Sequence, residues 1–426
     1  MTLLIKNIIL NEKKLDIFIA GNKIKKIGKN LNLKAEEKID GEGRKAILPG
    51  LINCHTHSAM ILFRGYADDL PLNIWLKEKI WPLEEKLTKE DIYWGTKLTC
   101  LEMIKNGITC FNEMYWYPEA QIEAIKEMGL RAIIGLVMID FLPFGSKENV
   151  EKLYQKLKLE LPETESLAIA PHAIYTVSKE NLIWAKNFAK KNNLLLHIHL
   201  SETEKEIKDC LKKNKIRPVE YLDRIGFLNK NCLLAHSVWL NDKEIEILGK
   251  RKCNVIYNPC SNLKLATGEI FPYKKLKEKK VNICLGTDGA ASNNSLDMFK
   301  EMKFGSLLQK HREKDPTLTK SKEVLDWATI NGGKALRINI GEIKEGKLAD
   351  LILIDLNKIY FSPGHNFISD LVYSASGDCV SNLICNGKIL MRERKIEFEK
   401  EILKKTTLLA KRLINTKFKK RKKNNN

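Results

Sequence analysis

The sequence lacks the features that would place a protein in or across a membrane. No apolar run reaches the roughly 18 uninterrupted residues that a membrane-spanning helix needs. Residues 1–7 are not a basic leader followed by a long apolar region and a small-residue cleavage site, so we expect no signal peptide. Both absences predict a cytoplasmic protein.

The sequence also lacks closely paired cysteines. Ten cysteines are scattered along the chain, and no two are spaced Cys-x-x-Cys; Cys253 and Cys260 come nearest to a pair. Several others, such as Cys54 and Cys284, lie in apolar runs. We interpret these as buried thiols in a reducing compartment.

Concentrated charge of one sign is confined to the end of the chain. The net charge is +20, but Lys and Arg alternate with Asp and Glu everywhere except in the block Lys417–Lys423. We expect residues 401–426 to form a helix followed by a disordered, solvated basic tail. Nucleic acid is therefore not the expected main partner, and contact of the tail with RNA is kept as an alternative.

The length and the two chain ends indicate a large central domain with an appendage. A chain of 426 residues with 44% hydrophobic residues is long for one domain and can bury a substantial core. Residues 1–48 and 341–400 consist of short β-rich runs separated by turns. Each end is too small to bury a core alone, so we predict that both combine into one small β-sandwich.

The middle of the chain, residues 49–340, alternates apolar strand-like runs with amphipathic helical patterns. The predicted helices cover about residues 90–105, 118–128, 179–191, 203–212, 241–250 and 296–310. The predicted strands between them cover residues 132–139, 167–170, 194–200, 232–235, 254–257 and 281–285. This alternation predicts an α/β fold, a (β/α)8 TIM-type barrel. The rival, a doubly wound open sheet, is disfavoured because no Gly-x-Gly-x-x-Gly follows the first strand.

Histidines lie at the ends of the predicted strands. The run Leu48–Thr56 breaks at Pro-Gly and then continues as a strand that ends in His-x-His, which places His55 and His57 on one face. In a barrel, catalytic residues lie at the carboxyl ends of the strands. Six of the eight histidines occupy such ends, and an aspartate ends the last strand: His55, His57, His172, His197, His199, His236 and Asp288. His311 and His365 lie elsewhere and are interpreted as structural or surface residues.

The motifs, taken in order, resemble those of the amidohydrolase superfamily. Within it the chain is most similar to 5-methylthioadenosine/S-adenosylhomocysteine deaminases and the related 5'-deoxyadenosine deaminases. The resemblance covers nearly the whole chain. It is carried by Pro-Gly-Leu-Ile-Asn-x-His-Thr-His at 49–57, Trp-Pro-Leu-Glu at 81–84, Pro-His-Ala at 171–173, His-Ile-His-Leu-Ser-Glu at 197–202, Ala-His-Ser-Val at 235–238, Asn-Pro-x-Ser-Asn at 258–262, Gly-Thr-Asp-Gly at 286–289 and Gly-Lys-x-Ala-Asp at 346–350.

The resemblance implies one divalent metal per subunit. Its ligands would be three imidazoles and one carboxylate: His55, His57, His199 and Asp288. Such a set leaves a position for water, as catalytic sites require, and zinc is the expected ion, with iron or manganese suited to the same ligands. His172, and not the lysine that binuclear relatives can carry, ends the 167–170 strand, which favours one metal. We interpret His197 as a core histidine, with a partner role to the ligands as the alternative.

The resemblance also implies a mechanism, the hydrolytic deamination of adenine nucleosides. Asp288 would act as base towards the attacking water, Glu202 would protonate ring N1, and His236 would orient the water. Glu84 would bind the ribose hydroxyls, and His172 would contact the purine or the sugar. Trp75 and Phe63 are candidates for walls of the pocket, although core packing explains them equally well.

The expected substrates carry a small or apolar 5' group. Segment 132–147 contains no arginine, whereas relatives that process S-adenosylhomocysteine carry one near this point for the carboxylate. We therefore favour 5'-deoxyadenosine, methylthioadenosine and adenosine, with S-adenosylhomocysteine left open. The alternatives are a guanine or cytosine deaminase, a triazine-type chlorohydrolase, or a catalytically silent barrel. We expect a homo-oligomer, a dimer or tetramer.

Overall fold

The computed structural model describes the backbone of residues 1–423 and the side chains of residues 1–414. The strands are β1 Thr2–Leu10, β2 Lys13–Ala20, β3 Lys23–Gly28, β4 Glu37–Asp40, β5 Lys45–Pro49, β6 Leu51–Thr56, β7 Ile108–Met114, β8 Arg131–Met138, β9 Glu165–Pro171, β10 Leu195–Leu200, β11 Cys232–His236, β12 Asn254–Tyr257, β13 Asn282–Leu285, β14 Leu351–Asp355, β15 Val380–Cys385 and β16 Lys388–Met391.

The α-helices are mostly short and lie between the strands. They are α1 Leu72–Ile74, α2 Trp81–Glu84, α3 Lys89–Lys105, α4 Pro118–Met128, α5 Lys147–Leu157, α6 Lys179–Lys191, α7 Glu204–Asn214, α8 Pro218–Arg224, α9 Asp242–Arg251, α10 Pro259–Lys264, α11 Tyr273–Glu278, α12 Ala290–Asn293, α13 Met298–Glu313, α14 Ser321–Trp327, α15 Ile330–Leu336, α16 Phe367–Tyr373 and α17 Glu399–Lys423. Within the described backbone, no helix is both long and apolar enough to cross a membrane.

Strands β6 to β13 form a parallel eight-stranded sheet in sequence order, which curls into a barrel. The strands are buried on both faces because helices cover the outside and side chains fill the inside. A layer of small and branched residues, including Ile52, Ile133, Leu233 and Ile256, packs inside the barrel below the carboxyl ends of the strands. The predicted barrel is confirmed.

Both chain ends contribute to one mixed sheet of the order β16-β15-β14-β5-β1-β2-β3, with β4 paired to β1. Strands β14 and β5 pair antiparallel, with Leu351 opposite Pro49 and Asp355 opposite Lys45. The prediction that the two ends combine is confirmed. The boundaries at 48/49 and 340/341 stay a prediction.

Helix α17 packs along α3, and Arg412 donates to the buried carboxylate of Asp91. A helix was predicted to begin at residue 401, and it begins at Glu399. The predicted disorder of the basic tail concerns residues whose side chains, and at 424–426 also the backbone, lie outside the described part of the chain. That expectation stays a prediction.

The barrel closes where β6 meets β13. The Asn53 amide donates to Thr287 Oγ1 at 2.7 Å and accepts from the Thr287 amide nitrogen at 3.0 Å. One residue further along, the Asp288 amide donates to the carbonyl of His55 at 2.9 Å. This closure places the His-x-His end of the first barrel strand beside the aspartate that follows the last one.

A buried ion pair joins the barrel to the mixed sheet. Arg131, at the start of β8, donates to both carboxylate oxygens of Asp350 at 2.8 and 3.1 Å, and also to the side chain of Asn386. Asp350 accepts in addition from the backbone of Asn386. The Gly-Lys-x-Ala-Asp motif therefore ends in a residue that fastens the two parts of the fold together.

Candidate active site

Four side chains from distant parts of the sequence converge at the carboxyl end of the barrel. His57 Nε2 lies 3.2 Å from His199 Nε2 and 3.2 Å from Asp288 Oδ1, and His55 Nε2 lies 3.5 Å from the same oxygen. His55, His199 and Asp288 are buried, and the side chain of His57 is 11% exposed. Three of the predicted ligands, His55, His57 and His199, and the set His55, His236 and Asp288 each present ligand atoms close enough to hold one metal ion.

The protonation of two imidazoles can be derived from their neighbours. His57 Nδ1 lies 2.6 Å from the carbonyl of Met114, and His199 Nδ1 lies 2.8 Å from the carbonyl of His172. A carbonyl only accepts, so each Nδ1 carries a proton, and the Nε2 of a neutral imidazole then presents a lone pair. Burial disfavours a charge on His57, but the Asp288 carboxylate raises the pKa of His57 to about 9. The two Nε2 atoms, 3.2 Å apart, therefore need a positive charge between them, which is either a proton on His57 or a metal ion. The donor set therefore fits a divalent metal, with backbone carbonyls that orient the ligands.

His55, the first of the predicted ligands, has an unpartnered nitrogen. His55 Nε2 is buried, and no hydrogen-bond partner satisfies it. An orphaned buried nitrogen is costly in a folded protein, and a metal ion would satisfy it. His55 Nδ1 lies 2.9 Å from His197 Nε2, and Asn112 donates to His197 Nδ1. His197 thus contacts a predicted ligand, which favours the partner role over the core-histidine interpretation.

Asp288 is held by several donors. The hydroxyls of Ser261 and Ser292 donate to Oδ2 at 2.6 and 3.0 Å, and the Gly289 amide donates to Oδ1 at 2.8 Å. Burial alone would raise the pKa of Asp288, but the neighbouring imidazoles of His55 and His57 hold it well below its usual value. The aspartate is therefore ionised at neutral pH.

Glu202 and His236 lie beside this cluster. Burial, with the charge of Asp288, raises the pKa of Glu202 to about 8, so its carboxyl holds a proton at neutral pH. Burial lowers the pKa of His236 to about 4, so its imidazole is neutral. His236 Nδ1 lies 2.9 Å from Asn262 Nδ2 and 3.8 Å from Glu202 Oε1. A neutral carboxyl and a neutral imidazole thus adjoin the metal-binding cluster.

A cavity of about 460 Å³ opens onto these groups. Glu84 lines it and accepts from the Tyr115 hydroxyl at 2.7 Å, and burial raises the pKa of Glu84 to about 6. Trp75 and His172 also line the cavity. Phe63 does not: it is buried at the end of a 3-10 helix, Ser58–Phe63, because all side chains of that helix pack inward.

The outer part of the cavity is aromatic and apolar. Trp116 and Phe144 pack with ring centroids 4.8 Å apart, and Phe141 and Leu142 lie beside them. Among the lining residues of the described chain, none is Lys or Arg, and the four acidic ones are Glu84, Glu85, Glu202 and Asp288. The cavity therefore offers carboxylates and rings but no cation.

Several residues that contact the site are not predicted from the sequence. Ser261 and Asn262 belong to the Asn-Pro-x-Ser-Asn motif, and the position of this polar motif directly after a buried strand is the signal that could identify them. Ser292 follows Asp288 by one helical turn, a weaker signal. Nothing in the sequence distinguished Tyr115, because its contact with Glu84 joins two segments 31 residues apart.

The family is shown by comparison with known proteins. Residues 46–390 match the model of the amidohydrolase family, and the chain belongs to that family. It is 47% identical over 400 residues to 5-methylthioadenosine/S-adenosylhomocysteine deaminase 1 of Archaeoglobus fulgidus, which covers 93% of this chain and 94% of that protein. It is 45% identical over 425 residues to a 5'-deoxyadenosine deaminase of Methanoregula boonei, with coverage of 97% and 95%.

A solved structure supports the same assignment. An adenosine deaminase from Xanthomonas campestris, with bound zinc, superposes on this chain with a TM-score of 0.92 at 32% identity, covering 97% of this chain and 98% of that one. The resemblance to deaminases of this superfamily, inferred from the motifs, is confirmed by these matches.

Proposed function

We propose that the protein is a metal-dependent hydrolytic deaminase of adenosine-type nucleosides, which releases ammonia and the inosine analogue. One observation carries the proposal: a cluster that can hold a metal ion and the buried carboxyl of Glu202, whose pKa is raised, share one cavity with a buried sugar-binding candidate, Glu84. The names of the relatives, which include 5'-deoxyadenosine and methylthioadenosine deaminases, agree with this chemistry.

The ligands proposed for the metal are His55, His57, His199 and Asp288. Three imidazoles and one carboxylate with an open position favour zinc, the ion bound in the Xanthomonas relative. A single ion is favoured because His172, and not a lysine, follows β9. The chemistry that such a metal supplies when bound is a hydroxide-like nucleophile at neutral pH.

Proton transfer is assigned to three side chains. Glu202 donates a proton to ring N1, which makes C6 a better electrophile, and its raised pKa keeps the proton available at pH 7. Asp288, ionised, takes a proton from the attacking water and passes it to the amine, which then leaves as ammonia. His236 is close enough to the cluster to orient the attacking water and to stabilise the tetrahedral intermediate.

The substrate is placed by the rest of the cavity. Glu84, with its orientation fixed by Tyr115, is proposed to accept hydrogen bonds from the two ribose hydroxyls, and His172 to contact the purine or the sugar. The apolar outer part, around Trp116 and Phe144, fits a methyl or methylthio group at the 5' position. A carboxylate there would meet acidic groups and no cation, so S-adenosylhomocysteine is the least favoured substrate.

The test is a substrate panel for ammonia release. We expect turnover of 5'-deoxyadenosine, methylthioadenosine and adenosine, slower turnover of S-adenosylhomocysteine, and loss of activity after chelation with recovery on addition of zinc. Guanine and cytosine serve as comparisons for the other deaminase chemistries of the superfamily. Activity on a free base, with none on any adenosine, would contradict the proposal.

The Glu202→Gln variant tests the proton donor. The amide keeps the shape of the side chain but holds no acidic proton, so we expect kcat to fall by about 10²–10⁴, the usual contribution of general acid–base catalysis. Metal content, measured by elemental analysis, should match the wild type because Glu202 is not among the proposed ligands. Wild-type kcat in this variant would show that another group protonates the ring.

A further inference from the structure

A second buried carboxylate lies directly behind Glu202. Glu206, on the first turn of α7, is 5% exposed and does not line the cavity. Its two oxygens accept separate hydrogen bonds from consecutive backbone amides, those of Ser201 and Glu202, each at 2.9 Å. The carboxyl group of Glu206 therefore fixes the backbone that carries the proposed proton donor, Glu202.

These two hydrogen bonds of Glu206 differ from the usual capping of a helix. Thr203-Glu204-Lys205-Glu206 has the pattern of a capping box, in which the glutamate accepts from the backbone of the capping residue itself. The Thr203 hydroxyl does accept from the Glu206 amide at 3.3 Å. The Glu206 carboxylate, however, reaches past Thr203 to the two residues before it, which lie outside the helix.

The backbone that Glu206 holds has an unusual conformation at Ser201. Ser201 has a φ of +51°, in the left-handed region that residues other than glycine rarely adopt. At Ser201 the chain leaves β10 and turns so that Glu202 enters the cavity. A backbone held in a sparsely populated conformation needs surrounding contacts to keep it there.

The same peptide is held from its other side. The Ser201 carbonyl accepts from the amides of Val238 and Trp239 at 3.0 and 2.9 Å. The Trp239 carbonyl in turn accepts from Arg217, which is paired with Glu244. The loop that carries Glu202 is thus tied to the loop that follows His236.

We propose that Glu206 is a positioning residue that fixes the Ser201–Glu202 peptide and thereby the placement of the Glu202 carboxyl against the substrate ring. Glu206 touches neither substrate nor metal ligand in this role, and it acts only through Glu202. The inference rests on the proposed function of Glu202 as donor to ring N1. A displacement of about 1 Å at a reacting group is enough to cost about 10²-fold in rate.

The experiment compares Glu206→Gln with the wild type on two substrates. One is 5'-deoxyadenosine. The other is its 6-chloro analogue, in which C6 is more electrophilic than in 5'-deoxyadenosine and chloride leaves without needing a proton. A glutamine can accept from only one of the two amides. We expect kcat on 5'-deoxyadenosine to fall by about tenfold or more, with KM within about threefold of the wild type and a clearly smaller loss on the chloro analogue.

The control is Glu204→Gln in the same helical turn, whose carboxylate makes only an exposed pair with Lys208. It should retain wild-type kinetics on both substrates. An equal loss on both substrates in Glu206→Gln, or a loss of bound zinc, would overturn the proposal, because either result indicates general damage to the site. Glu206→Asp is the second variant, and failure of both variants to fold would assign Glu206 to folding instead.

The outcome is separable from that of the proposed function. If the wild-type protein deaminates no adenosine, the function itself fails. If the wild type is active and Glu206→Gln keeps full kcat on 5'-deoxyadenosine, only the positioning role fails.

Discussion

The carboxylates of the cavity have different protonation states, although they lie close together. Asp288 is ionised because, despite its burial, the neighbouring imidazoles of His55 and His57 hold its pKa low, whereas Glu202 is protonated at neutral pH because burial and the charge of Asp288 raise its pKa. Glu84 lies between these cases, with a pKa of about 6. Histidines at strand ends indicate where this cluster lies, and the family resemblance implies its ligands, but these pKa values could not be predicted, because burial depends on contacts between distant segments.

Glu84 gives a prediction for pH dependence. Its pKa is raised by burial and lowered by the hydrogen bond from Tyr115, and only the ionised form can accept from both ribose hydroxyls. We expect the KM for 5'-deoxyadenosine to rise as the pH falls through about 6. The 2',3'-dideoxy analogue, which lacks both hydroxyls, should show no such rise.

Removal of the Tyr115 hydroxyl should shift that dependence. Tyr115→Phe removes the hydrogen bond that lowers the pKa of Glu84, so this pKa should rise. The rise in KM should therefore begin at a higher pH than in the wild type. Loss of a hydrogen bond to a charged group costs about 1.5–3 kcal/mol, which corresponds to a KM raised by about tenfold or more. Steady-state kinetics from pH 5 to 8 would check both effects, and an unchanged KM profile would remove Glu84 from ribose binding.

At the level of elements, the metal-binding cluster depends on how β6 meets β13. Most barrel strands could be predicted from apolar runs, but β7, Ile108–Met114, was not predicted because Asn112 and Glu113 interrupt its apolar pattern. Both side chains are buried and hydrogen-bonded, Asn112 to His197 and Glu113 to the Ser58 amide. The buried polar residues Asn112 and Glu113 therefore prevented the prediction of β7 from its apolar pattern.

The closure of the barrel can be tested with Asn53→Ala. The change leaves the buried amide and hydroxyl of Thr287 without their partner, which costs about 1–3 kcal/mol in the free energy of unfolding. It also loosens the register between His55 and Asp288, so we expect weaker zinc binding in a chelator competition.

Asn282→Ala is the matched control for this change. Asn282 lies at the other end of β13 and donates to Asn254 and to the carbonyl of Asn331. Its loss should lower the melting temperature while leaving zinc affinity unchanged. Equal zinc affinity in both variants would show that the Asn53–Thr287 contact does not position the ligands.

At the level of the whole molecule, the mixed sheet and the barrel are joined by Arg131 and Asp350. The sequence predicted that both chain ends combine into one small β-sandwich, since neither end could bury a core alone. It did not reveal this ion pair, because Arg131 looks like the start of an ordinary strand. The side chains of Arg131 and Asp350 are only 5% and 1% exposed, so water cannot solvate either charge if the other is removed.

Arg131→Met should therefore be strongly destabilising. The substitution leaves the buried carboxylate of Asp350 unpaired. We expect the free energy of unfolding to fall by about 3–5 kcal/mol. Combining it with Asp350→Asn should recover part of that loss, because the uncompensated charge disappears. Urea unfolding would measure both variants.

Lys205→Met is the control, since it removes only an exposed pair with Asp209 and should cost less than about 1 kcal/mol. A similar small loss in Arg131→Met would mean that the two parts of the fold do not depend on the buried pair. The retained metal content of a folded Arg131→Met protein would show that this junction acts on stability alone.

The pairing of β5 with β14 also has a consequence for protein synthesis. Residues 45–49 leave the ribosome before the barrel strands, yet their antiparallel neighbour, residues 351–355, follows only after all eight of those strands have been translated. The edge of β5 therefore stays uncovered throughout elongation, and an open apolar edge is a site for aggregation. Stalled or truncated chains of this protein should accordingly be clients for chaperones that shield exposed strands.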